Sequence, residues 1–131
     1  MSNVEVDQSS RMEMSGETTV AVSNGFMVTM RVPARVKQAV QQALRERGIN
    51  PRMVMIRMFV AAVLLAIRDH LEQIDLLTID EEYTGYEATI KSLLLDRIRA
   101  LGYEFPRDDI VITRIGKNSL AHWAAIRVTR R

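Results

Sequence analysis

From residue 27 the chain alternates. Met27-Val28-Thr29-Met30-Arg31-Val32 places Val28, Met30 and Val32 on one face of a strand and Met27, Thr29 and Arg31 on the other. Pro33 stops the alternation. Helical spacing follows, with Val36, Ala39, Val40, Ala43 and Leu44 on one stripe, until Gly48 ends it. Asn50 as N-cap and Pro51 as first helical residue open a second helix, predicted to run to about residues 70–74. Met53, Ile56, Val60, Val63, Leu64, Ile67 and Leu71 make one face of it. Val54, Met58, Ala61, Ala62 and Leu65 make much of the rest apolar. A helix apolar nearly all round needs cover on more than one side. One short helix and one strand cannot supply that cover, so the pattern predicts either dimerisation or packing by the C-terminal half.

Residues 1–17 are rich in Ser, Glu, Gln and Met and carry no apolar period. They are expected to form a mobile acidic arm, extending to residue 24, with a possible extra strand at 18–22. Asn24-Gly25 is a strong hairpin signal. The strand Met27–Val32 therefore pairs either with 18–22 or with a second copy of itself. From residue 75 the pattern changes. Residues 76–80 read as a strand. Thr84 and Glu87 fit a capping box, and the helix after them carries Ile90, Leu93, Leu94, Ile98 and Leu101 before Gly102. Two more strands, 110–115 and 120–129, flank a turn at 116–119. The fold class predicted is α+β. A strand-helix-helix unit (25–74) precedes a small strand-helix-strand-strand domain (75–131) of open role.

Charge sharpens the division. The net charge is +2 over 131 residues, but residues 1–24 carry −3, residues 25–74 carry +5 and the remainder balances. A positive block on the strand-helix-helix segment favours a polyanion. With no cysteine, a disulfide framework and a thiolate metal site are excluded; with two histidines, His70 and His122, a histidine-rich centre is disfavoured. The ten-residue apolar run at 58–67 is bracketed by Arg57 and Arg68, and a membrane span needs about 20 such residues. The absence of a charged-then-apolar leader pattern completes the expectation of a cytoplasmic protein with no membrane partner.

Residues 27–70 resemble the ribbon-helix-helix family of DNA-binding proteins. The likeness lies in Val28-Thr29-Met30-Arg31-Val32, Pro33 after it, the Gly48-Ile49-Asn50 break and the Val54-Met55-Ile56-Arg57 stretch of the second helix. It covers about a third of the chain. The resemblance implies a homodimer, or higher even oligomer, whose two strands pair as an antiparallel ribbon in the major groove of double-stranded DNA. Met27, Thr29 and Arg31 would contact bases, although a polar residue is more usual at the position of Met27. Asn50, Arg52 and Met53 would contact phosphate at the start of the second helix. The role implied is transcriptional repression or an accessory function on plasmid or phage DNA, without a cofactor.

Other residues carry other chemistry. Arg114, Lys117, Arg127, Arg130 and Arg131 make a basic C-terminal stretch without an acid, able to touch nucleic acid. Asp80, Glu81, Glu82 and Glu87 form an acidic cluster at a strand-to-helix junction, where a divalent metal would suit a nuclease built on Asp80, Glu82 and Glu87. The bland alternative is a solvated turn with Glu87 as a capping residue. A third reading is a structural oligomer built on the apolar second helix.

Overall fold

The computed structural model describes residues 2–9, 11–12, 15–23 and 27–114. They form an α+β fold with one mixed five-stranded sheet. In chain order come β1 (Ser2–Ser9), β2 (Thr18–Ser23), β3 (Met27–Val32), α1 (Ala34–Glu46), α2 (Pro51–Ile67), a 3-10 turn (Arg68–Gln73), β4 (Ile74–Asp80), α3 (Glu87–Ala100), a 3-10 turn (Arg107–Asp109) and β5 (Ile110–Thr113). The strand order across the sheet is β3-β2-β1-β4-β5. β1, β2 and β3 make an antiparallel meander, while β4 runs parallel to both β1 and β5.

Register fixes the two faces. Val6 lies opposite Val22 on one side and Ile79 on the other, Val20 opposite Met30, and Ile110 opposite Leu77. Val4, Val6, Val20, Val22, Leu77, Ile79 and Ile110 are fully buried and form the core with α2 and α3. The other face carries Glu5, Asp7 and Ser9 of β1 and Asp80 of β4, with Thr29 and Arg31 of β3. Asp7, Thr19 and Ala21 on that second face are buried as well.

The acidic arm is not an arm. Residues 2–9 are the central strand of the sheet, hydrogen-bonded on both edges. Only Val4 and Val6 are apolar there, because the opposite face of the strand is polar. The extra strand at 18–22 exists as β2, and β3 pairs with it along all six residues. The strand expected to meet a second copy of itself therefore has its first partner within the chain. One sheet runs through both expected units, so the boundary at 74–75 separates no domains: β4 belongs beside β1.

The covering of α2 follows. Ten of its 17 residues are buried, against the sheet and between α1 and α3. Packing by the rest of the chain covers this helix, from α1, α3, β2 and β3. At its start Asn50 accepts a hydrogen bond from the Met53 backbone N–H (2.9 Å), with Pro51 in the first turn, as the sequence predicts. No helix among the described residues is long and apolar enough to cross a membrane.

Two local expectations change. The apolar stripe of α1 faces outward except at Leu44, with Val36 42% and Val40 37% exposed. Its inner face is Lys37, Gln41 and Leu44, one helical turn apart. Lys37 donates to the Thr18 hydroxyl (3.0 Å) and Gln41 to the Met12 carbonyl (3.5 Å). The helix lies against polar groups of the β1–β2 connection, which need donors more than methyl groups. The capping box at Thr84 is also absent. Gly85 at φ +89° delays the helix, Tyr86 becomes its cap without a side-chain bond, and Glu87 is its first residue.

Val6→Ala is expected to destabilise the protein by roughly 2 kcal/mol in urea unfolding, because it opens a cavity at the centre of the core. Deleting residues 2–9 is expected to abolish cooperative unfolding. A mobile arm would leave the transition unchanged.

Candidate metal centre

β1 and β4 run parallel, and β4 ends beside Asp7 while β1 continues to Ser9. In their register Val6 faces Ile79, so the next step along each strand brings Asp7 beside Asp80. Both side chains leave the sheet on the polar face. Glu82 lies two residues beyond Asp80 and joins the same side. One ligand oxygen from each of Asp7, Asp80 and Glu82 lies within 4.8 Å of the others. Oxygens bound to one Mg²⁺ at about 2.1 Å lie up to about 4.2 Å apart, and around Ca²⁺ at about 2.4 Å up to about 4.8 Å. The three carboxyls thus fit one hard divalent cation with little adjustment.

The electrostatics match this geometry. Burial, a hydrogen bond with Asp80, and the charges of Asp80 and Asp7 push the Glu82 carboxyl up to about 8, with Arg11 opposing. Near neutral pH the protein therefore holds a proton on Glu82 to relieve crowded negative charge. A cation held by these three carboxyls would relieve the same repulsion and displace that proton.

A hub residue holds the site. Tyr83, almost fully buried, packs its ring on Phe59 of α2 with centroids 5.3 Å apart. Its hydroxyl accepts the backbone N–H of Met12 (3.2 Å). Arg11, the residue before, lies 6.0 Å above the Tyr83 ring, and its Nε donates to Glu82 Oε2 at 3.4 Å. The β1–β2 connection and the β4–α3 loop are thereby tied together around the carboxyls.

Glu87 does not join this cluster. Its Oε1 accepts the Gly85 N–H (3.2 Å). Its own N–H, the Glu81 carboxyl and Gly85 hold its carboxyl below the ordinary range, while the hydrogen bond it takes from Glu81 raises that partner. The late start of α3 is the cause: Glu87 is used in closing the turn. Of the acidic set expected from sequence, Asp80 and Glu82 are together, and the third member is Asp7. Its signal was the period-two alternation of Val4 and Val6 against Asn3, Glu5 and Asp7, which puts the acids on the face opposite the valines.

The other expected site residues are spread out. Thr29 and Arg31 are exposed on β3, and Arg31 sits 3.8 Å from Glu17 in an exposed pair of small energetic value. Met27 opens the same strand. Asn50 is occupied as a cap, Met53 donates to it, and Arg52 lies 5.8 Å over the Tyr86 ring. Arg114 is exposed beside Glu81, whose carboxyl it pulls down as a secondary effect. Lys117, Arg127, Arg130, Arg131 and His122, with the strand expected at 120–129, lie outside the described residues.

Comparison with protein families, curated proteins and solved structures finds no match.

The proton on Glu82 gives a signed pH dependence. Its folded carboxyl holds a proton more tightly than the ordinary value of 4.5, so its contribution to stability is present below 4.5 and lost as pH rises through about 8. Without divalent cations, thermal unfolding should shift downward across that window. Added Mg²⁺ or Mn²⁺ should restore the midpoint most strongly at the alkaline end. Glu82→Gln should flatten the cation-free profile.

Proposed function

We propose that the chain is a divalent-cation-dependent phosphodiester hydrolase that acts on nucleic acid. The observation that carries this reading is the convergence of Asp7, Asp80 and Glu82, from two adjacent parallel strands, on a space the size of one cation. A bound cation would stabilise charge on a phosphoryl oxygen and acidify a water. The protein's part is to hold three carboxyls in place, keep Asp7 away from bulk water and supply cationic side chains at the rim. Arg11, in contact with Glu82, is such a side chain. A phosphodiester is the electrophile that needs both, being anionic itself and hydrolysed through a transition state rich in oxygen charge. The basic residues 25–74 favour a polymer of phosphates over a small ester.

A second reading is DNA binding without chemistry, as a dimeric repressor or plasmid or phage accessory factor. Its support is Thr29 and Arg31, which are solvent-exposed on an edge strand, and the strand-helix-helix order of β3, α1 and α2. Its difficulty is width. A major groove of about 12 Å admits a two-stranded ribbon, whereas five strands at about 4.8 Å spacing span about 19 Å.

Incubation of the purified chain with labelled single- and double-stranded DNA and RNA and Mg²⁺ or Mn²⁺ is expected to give cleavage. Asp7→Asn and Asp80→Asn should each reduce it at least a hundredfold while leaving the fold intact by circular dichroism. Retained cleavage in both variants would refute the reading. For DNA binding without chemistry, Arg31→Ala should weaken a specific site by about 1–3 kcal/mol, and equal loss on all sequences would reduce Arg31 to a phosphate contact.

A further inference from the structure

We propose that the groove between α2 and α3 receives a second copy of this chain, with the two α2 helices packed in opposite directions about a two-fold axis. The proposal stands apart from both functional readings, since it uses neither the carboxyls nor β3.

Past its first turn, α2 exposes three residues: Arg57, Ala61 and Leu65. A spacing of four sets them on one ridge of the helix. Asp69, in the 3-10 turn that follows, continues the spacing, and its side chain is 83% exposed. From its N-terminal to its C-terminal end the ridge therefore carries a cation, a small apolar residue, a large apolar residue and an anion. Leu65 is 46% exposed. A lone exposed leucine is ordinary. This one borders a groove of about 460 Å³, room for several side chains, with Val60, Ala61, Leu64 and Leu93 along it and Arg57 and Arg97 beside them. The two helices begin side by side, where Arg52 of α2 lies over Tyr86 at the start of α3.

The order of residues on the ridge selects the occupant. Positions 57 and 69 lie equally far from the midpoint between Ala61 and Leu65. Turned end for end about that midpoint, the ridge meets its own complement. Leu65 of one copy enters the hollow over the partner's Ala61, and Arg57 comes beside the partner's Asp69. A two-fold axis makes each contact twice. Ridges spaced by four run alongside one another when helices cross at about −50°, the commonest crossing, and this keeps the charged ends of the two ridges together. A same-direction pairing would instead set Arg57 against Arg57.

Both charges are available for this exchange. Arg57 has no ionic partner among the described residues. Asp69 has only its neighbour Arg68, at 3.9 Å and with both side chains mostly exposed. Such a pair is worth little, so Asp69 changes partner at small cost. One crossing helix pair is a small interface, in the class below about 1,200 Å², and the expected dissociation constant is on the order of 10–100 µM.

Sedimentation velocity of the full chain, from low micromolar to several hundred micromolar, reads this association. The wild type is expected to pass from monomer to dimer across the range. Leu65→Glu changes an exposed position, so its melting temperature should hold while its dissociation constant rises at least tenfold. Arg57→Asp alone sets two acids against each other, and Asp69→Arg alone sets two cations together. Each should weaken self-association about tenfold. Mixed in equal amounts, these two variants regain both ion pairs in a mixed dimer, and the mixture is expected to associate about as strongly as the wild type. A wild-type monomer throughout the range would overturn the proposal. So would a dimer indifferent to Leu65→Glu, which would be joined through another surface. A mixture no stronger than its parts would overturn the antiparallel pairing. Should Leu65→Glu fail to fold, the mixing result decides alone.

Discussion

A single strand sets the position of everything else. β1 is hydrogen-bonded along both edges, antiparallel to β2 and parallel to β4, and so joins the N-terminal meander to the β4-α3-β5 half. Backbone donors and acceptors at the centre of a sheet have no recourse to water, so removing one edge leaves a row of them unsatisfied. Val4 and Val6 of the same strand are fully buried in the core. Thus the eight residues that look least structured in the sequence carry the greatest share of the fold's long-range order.

The same strand creates the site by necessity. In a parallel pair with one face buried, side chains alternate and residues at matching heights share a face. Valines on the core face commit Asp7 to the opposite side, and the register with β4 sets Asp80 beside it. Tyr83 then draws the loop after β4 inward onto Phe59 and Met12, which brings Glu82 to the same place. Three acids in one partly buried space are unfavourable in isolation. The cost appears as the proton retained by Glu82, whose carboxyl is pushed up to about 8. Acids gathered by strand register and shifted by burial and by one another mark a candidate functional site.

The fold was legible where apolar residues repeat with a clear period. β3, α1, α2, β4 and α3 all lie close to where their spacing puts them, and Asn50 and Pro51 mark the start of α2 as capping chemistry requires. Legibility failed where a strand is amphipathic in an unusual sense. β1 shows only two apolar residues, because one of its faces is polar and buried among polar neighbours, and composition alone reads that as an arm. Without β1, the choice between residues 18–22 and a second copy as the partner of β3 stayed open, as did the choice between a dimer and the C-terminal half as the cover of α2. The outward stripe of α1 and the late start of α3 follow from tertiary demands, namely donors for the β1–β2 connection and the positive φ of Gly85. The acidic junction after β4 was visible, but its third member was sought at Glu87, close in sequence, and not at Asp7, some 70 residues away.

The central claim is that β1 delivers Asp7 into a cation site shared with Asp80 and Glu82. Paramagnetic relaxation by Mn²⁺ in the amide NMR spectrum tests it most directly. Substoichiometric Mn²⁺ should broaden the amides around Asp7, Asp80 and Glu82 together, although they are far apart in the chain. It should do so in the wild-type protein and not in Asp7→Asn. Broadening confined to the stretch around Glu81 and Glu87, with Asp7 untouched, would contradict the account.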